Sequence, residues 1–144
     1  MTLSQYRNKS NLLIESARIL ASGDNPVAIP HCAYYSCYQL MMHIWLNVMG
    51  KTDAELKQLV DAAKGSRFIN GSHNVLINEI VKYVKADGTD RNRNADSMTL
   101  NKDMHTLKKI RTDADYMDTI TDMPSCRKSI QIAEKTIPIL EKYM

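Results

Sequence analysis

No stretch of this chain is strongly basic or strongly acidic. The net charge is +3, and it is spread evenly: three basic and two acidic side chains in residues 1–50, eight and seven in 51–100, eight and seven in 101–144. That excludes a DNA-binding arm and a polybasic membrane anchor, but leaves room for a single phosphate site. Long apolar runs are lacking too. The longest, Leu40–Met49, is interrupted by His43 and Asn47 and is too short to cross a bilayer. The opening Met-Thr-Leu-Ser-Gln-Tyr-Arg has no apolar segment of the export type. Cysteine is scarce and odd in number (Cys32, Cys37, Cys126), so free thiols in a cytoplasmic protein are expected. His31-Cys32 with Cys37 has no second ligand pair, and neither a metal nor a cofactor is expected. Five Gly and four Pro stand mostly where helical periodicity stops, and the chain has no internal repeat and no useful strand alternation.

What is present is ordinary for a globular protein, at 44% apolar and 24% charged residues, and the length suits one domain spanning 1–144. The aromatic inventory is lopsided, with seven Tyr against one Trp and one Phe. The nine Met suit adaptable core packing rather than metal binding. Helical stripes recur throughout. A first helix is predicted from about Thr2 to Ser22, with Leu3, Tyr6, Leu13, Ala17 and Leu20 on one side and Gly23-Asp24-Asn25-Pro26 ending it. A second, from about Val27 to Met49, is apolar on more than one face and is expected at the centre; Gly50 closes it. Thr52-Asp53-Ala54-Glu55 is a capping-box pattern opening a short third helix to about Lys64. After a loop, Ser72 is expected to cap a fourth helix running through Val84. Residues Asp87–Asp96 are predicted to form a polar loop. A fifth helix is predicted from about Ser97 to Asp118, and a sixth from about Pro124 to Tyr143, with Pro138 inside it. The expected fold is all-α, an up-and-down antiparallel bundle of five to six helices.

One residue breaks the pattern. The apolar stripe of the fifth helix is Leu100, Met104, Leu107 and Ala114, and Arg111 stands where the stripe needs an apolar residue. Asp115 lies one turn on and Asp118 beside it. A guanidinium is rarely buried without a partner, since desolvation costs several kcal/mol. Two readings stand open. In one, Arg111 and Asp115 form an intrahelical ion pair that orders the bundle. In the other, Arg111 binds phosphate in a groove or at a subunit interface, with Asp115 fixing its rotamer. The remaining histidines, His31, His43 and His105, suit packing or solvent-facing positions, and Arg91 and Arg93 suit a solvated loop.

Three segments carry a resemblance: Ala33-Tyr34-Tyr35 early in a long helix, Ser72-His73-Asn74-Val75-Leu76, and Leu107-x-x-x-Arg111-x-x-Ala114-Asp115-Tyr116. In this order they resemble HEPN domains over about residues 10–143. The resemblance implies a compact helical bundle, usually a homodimer, from bacterial or archaeal defence and toxin–antitoxin systems. Such proteins are often encoded beside a minimal nucleotidyltransferase, which would be a protein partner. It also implies RNA or a nucleotide as ligand. Active members are metal-independent endoribonucleases that use an Arg followed four to six residues later by a His. The His would polarise the ribose 2′-OH, and the Arg would stabilise charge on the phosphorane-like transition state.

The chain departs from that pattern at the fifth residue after Arg111, which is Tyr116. A phenol with an ordinary pKa near ten is a poor general base at neutral pH, though it can donate a hydrogen bond or stack on a base. The expectation is therefore a HEPN-like binding or regulatory protein for RNA or a nucleotide, with Arg111, Asp115 and Arg67 as phosphate-binding residues. The alternatives are an endoribonuclease toxin using Arg111 with His73 or Tyr116, and a purely structural interaction bundle. Arg67 and His73 also match the Arg-to-His spacing, in a loop and a helix start. A gentler version folds His73 back toward Arg111 as a composite site. Homodimerisation is expected from the resemblance and from the wide apolar perimeter of the second helix.

Overall fold

The computed structural model describes residues 5–23, 26–67, 69–117 and 120–144. The expected helix start at Thr2 and Leu3, the turn residues Asp24 and Asn25, and Asp118 lie outside them. Among the described residues the regular structure is all helix: α1 (Gln5–Ala21), α2 (Ile29–His43), α3 (Asp53–Ala62), α4 (Ser72–Lys85), α5 (Arg91–Tyr116) and α6 (Met123–Glu141). The all-α bundle expected from the periodicity is what the chain forms.

The apolar α2 is the hub, packing against α1, α4, α5 and α6. Its Ile29, Ala33, Tyr34, Cys37 and Met41 are fully buried. The apolar perimeter that suggested a second subunit is thus covered within the chain. Among the described residues the exposed large apolar side chains lie elsewhere: Leu12 and Ile19 on α1, Val27 just before α2, Leu59 on α3, Met98 on α5, and Tyr116, Met117 and Ile120 at and after the end of α5. All three cysteines are free, and burial pushes the Cys37 thiol up to about 12, which makes it inert. No helix among the described residues is long and apolar enough to cross a membrane.

Several boundaries differ from the sequence expectation for local reasons. α2 does not continue as α-helix to Met49. Its last turn, Ile44–Val48, widens to a π turn closed by the Met49 N–H on the Ile44 carbonyl at 2.7 Å. Gly50, at φ 69°, then takes the left-handed conformation that ends the helix. Both Ile44 and Trp45 thereby face inward. Thr52 caps α3 as predicted, its hydroxyl accepting from the Glu55 N–H at 3.1 Å. The cap of α4, however, is Gly71, and Ser72 is the first helical residue with no capping bond.

The largest difference is the polar loop expected over 87–96, where the helix already runs from Arg91. Asp90 is the reason: one oxygen of its carboxylate accepts from Asn92 N–H at 2.8 Å and Arg93 N–H at 3.1 Å. Arg93 is not a solvated loop residue. Its guanidinium donates to the Val84 carbonyl at 2.7 Å and the Tyr83 carbonyl at 2.9 Å, satisfying the otherwise free C-terminal carbonyls of α4. Replacing Asp90 by Ala is expected to lower the unfolding free energy by about 1 kcal/mol, the usual worth of such a cap. Urea unfolding should show a lower midpoint at unchanged slope. α6 starts in the same way, with Asp122 accepting from the Ser125 N–H at 2.8 Å, and runs on through Pro138 to Glu141.

Candidate functional site

The site lies where the first three turns of α2, the start of α4 and the last three turns of α5 meet. On α2, His31, Tyr34, Tyr35 and Tyr38 are spaced by three, one and three residues, which places them along one side of the helix. On α5, Lys108, Arg111 and Asp115 follow at three and four residues, and Tyr116 is the last helical residue. His73 sits in the first turn of α4.

Arg111 is the centre. Its side chain is 12% exposed, and that of Asp115 is 22% exposed. The Nε lies 2.9 Å from Asp115 Oδ2 but out of line with it, so the contact is an ion pair rather than a directed hydrogen bond. Nη2 donates to the Tyr35 hydroxyl at 3.0 Å and, more weakly, to the Tyr116 hydroxyl at 3.5 Å. The guanidinium carbon lies 5.7, 5.2 and 5.4 Å from the ring centres of Tyr34, Tyr35 and Tyr116. Three tyrosine rings therefore surround a half-buried cation, each contact worth about 0.5–2 kcal/mol. Among the described residues Nη1 has no partner, and it is not one of the occluded polar atoms. It is the donor left for a ligand. Tyr116, 71% exposed, offers a free ring face beside it.

His73 joins the cluster from α4. Its ring stacks on Tyr38 at 4.6 Å between centroids and on Tyr34 at 5.6 Å, and meets Tyr35 edge-on at 5.9 Å. Burial, with the charges of Arg111 and Lys108 behind it, lowers its pKa to about 4. The imidazole is therefore neutral at pH 7. Its Nδ1 lies 2.7 Å from the Tyr34 hydroxyl. Tyr34 is fully buried, and desolvation raises its pKa, so the phenol keeps its proton. With no other acceptor for that proton among the described residues, Tyr34 donates to Nδ1 and the His73 hydrogen resides on Nε2. The one acceptor nitrogen of His73 is thus occupied.

Arg111 and His73, the two members of the expected composite arrangement, contact the same two tyrosine rings, Tyr34 and Tyr35. The Arg111–Asp115 pair of the structural reading is present as well. Arg67 is not brought in. It is exposed in the loop before α4 and has no bond or ring contact with any of these residues. His73 turns onto Tyr38 instead.

The residue that the spacing did not single out is His31. Its Nδ1 lies 3.2 Å from Asp115 Oδ2, the same oxygen that faces Arg111, and its ring packs on Tyr35 at 4.6 Å. The only hint in the sequence was its place four residues before Tyr35. Among the described residues, no three His, Cys, Asp or Glu side chains converge as a metal-holding group.

Fold and site together define an all-α bundle carrying an arginine held among tyrosines, flanked by two histidines and a shared carboxylate. No family model, curated protein or solved structure matches the chain.

Proposed function

We propose that this chain is a HEPN-like helical module that binds RNA, or a nucleotide phosphate, at Arg111. The observation that carries the reading is the half-buried guanidinium with one nitrogen, Nη1, left for a ligand beside the exposed ring of Tyr116. A fixed Arg fork suits a phosphate oxygen, and a free tyrosine face suits a base. Lys108, one turn before Arg111 and close enough to depress His73, adds a second positive charge to the rim. The reading includes a homodimer and a nucleotidyltransferase partner, both carried by the resemblance of the Tyr34, His73 and Arg111 segments. The exposed Met117 and Ile120 at the end of α5 supply apolar surface for such contacts.

The test is fluorescence anisotropy with a labelled mixed-sequence RNA of about 20 nucleotides. Arg111→Ala is expected to weaken binding roughly tenfold to a hundredfold, the worth of a charge-assisted phosphate contact. Lys108→Ala should weaken it less and flatten the salt dependence by about one counterion. Unchanged affinity in Arg111→Ala would refute the reading and leave the Arg111–Asp115 pair a structural one.

A second reading, a metal-independent endoribonuclease at the same site using Arg111 with His73 or Tyr116, is favoured by the tyrosine rings that Arg111 and His73 share.

A further inference from the structure

We propose that the groove between α1 and α6 is a docking site for a basic amphipathic helix of a partner protein. None of its lining residues belongs to the Arg111 cluster, and neither site depends on the other.

The shape comes from the packing of α1. Its main neighbour is α2, and its contact with α6 is slighter, which leaves a groove of about 540 Å³ between α1 and α6. A slot between two helices of a bundle is the natural seat of a further helix. The floor is apolar, made by Ile14 from α1 and by Ile137 and Pro138 from α6. The α1 rim carries Leu12 and Ile19, 56% and 64% exposed, seven residues apart and so on one face. Single exposed leucines are ordinary, but these two continue the apolar floor outward along one helix. Glu15 stands between them and the floor, three residues after Leu12 and four before Ile19.

Charge selects the occupant. Glu15, Glu134 and Glu141 line the groove against a single guanidinium, that of Arg18. Arg18 is already committed to Glu134 at 3.2 Å, and Arg7 reaches Glu141 at 3.7 Å. Both pairs join well-exposed side chains, so an incoming cation joins or replaces them at little cost. Glu15 has no ion-pair partner among the described residues. Pro138 adds a neutral acceptor: it has no N–H, so the Glu134 carbonyl one turn back goes without its usual helical donor. Glu134 and Glu141 are seven residues apart, about 10 Å along the axis, which is also the spacing of positions i and i+7 on a docked helix. Lysines or arginines at that spacing meet both carboxylates, while an apolar stripe covers Ile14, Ile137, Leu12 and Ile19. An acidic peptide or a nucleic acid is repelled by the same carboxylates. A second copy fits less well, because two-fold pairing of this face sets its carboxylates against one another.

The experiment follows the fluorescence anisotropy of labelled peptides titrated with the full-length protein. The probe is a Leu/Lys peptide of about 18 residues with its leucines on one helical face. Its companions are a scrambled peptide of the same composition and a Leu/Glu peptide with the same stripe. The Leu/Lys peptide should bind in the micromolar range, and both companions at least about tenfold more weakly. Glu15→Gln should weaken binding about threefold, and Glu15→Lys about tenfold, since it sets a like charge in the groove. Leu12→Asp with Ile19→Asp in one chain should weaken it about a hundredfold, with the far-UV circular dichroism of wild type, because both side chains are exposed. Arg111→Ala should leave peptide binding unchanged. No binding of the Leu/Lys peptide, equal binding of the scrambled one, or undiminished binding by Glu15→Lys and the double variant would overturn the proposal. Sedimentation gives the remaining outcome: a wild-type dimer that only the double variant loses would assign this face to a second copy and overturn it too.

Discussion

Replacing Trp45 by Ala is expected to lower the unfolding free energy by about 3–5 kcal/mol, a large part of the 5–15 kcal/mol typical of a single domain. Trp45 is the sole tryptophan, and it is 2% exposed in the π turn that ends α2. Its indole N–H donates to the Thr52 carbonyl at 2.9 Å, tying the end of α2 to the cap of α3. Truncation leaves a cavity and removes one of the two donors to that carbonyl, which keeps the Leu56 N–H at 3.1 Å, two losses of different kind. Trp45→Phe separates them: most of the apolar contact stays, and the expected cost falls to about 1–2 kcal/mol. Circular dichroism during urea unfolding measures both variants, since the intrinsic Trp signal disappears with the residue. Equal costs for the two would show that the hydrogen bond, not the packing, carries the effect.

Stability should also fall on mild acidification, and His73 should be the main cause. Its folded-state pKa of about 4 lies below the ordinary histidine value of 6.5. Above that ordinary value both folded and unfolded chains hold it neutral, so it sets no pH dependence. As the pH drops through the window between the two values, the unfolded chain takes up a proton that the folded site refuses. Stability is lost across that window and levels off below it. The full shift corresponds to about 3 kcal/mol. Discounting for partial solvent exposure, about 1–2 kcal/mol is expected between roughly pH 7 and pH 4.5. His43 and His105, also shifted down by burial, add smaller losses of the same sign. The carboxylates with lowered values, Asp87, Asp96 and Asp122, act below this window. Urea midpoints for wild type and His73→Gln across the range measure the effect. The variant should lose about half of the pH dependence, and an unchanged slope would show that His73 is not the responsible group.

Much of the fold was legible because its causes are local. Stripe spacing located the helices, and side-chain caps at Thr52 and Asp122 started α3 and α6 where the sequence pattern suggested. The start of α5 is not legible, because Asp90 stands inside a polar stretch that reads as loop and only the structure shows its carboxylate capping the helix. Arg93 reads as a solvated charge until the end of α4 is set beside it. The candidate site was half legible. Arg111 showed itself by interrupting an apolar stripe, and Asp115 by its spacing from Arg111 on the same helix.

By itself, the sequence determined that the chain would be helical, where most helices begin, and that one arginine is embedded near the end of the fifth. Hydrogen bonding within a turn and side-chain spacing on one helix are enough for that. Only the tertiary structure decided what surrounds the arginine. The contacts from α2 and α4 span separations of 84 residues between His31 and Asp115, 76 between Tyr35 and Arg111, and 39 between Tyr34 and His73. α2 is apolar on several faces, so its pattern leaves open which neighbour each face meets. Packing against α4 and α5 settles that, turning His73 onto Tyr34 and bringing His31 to Asp115.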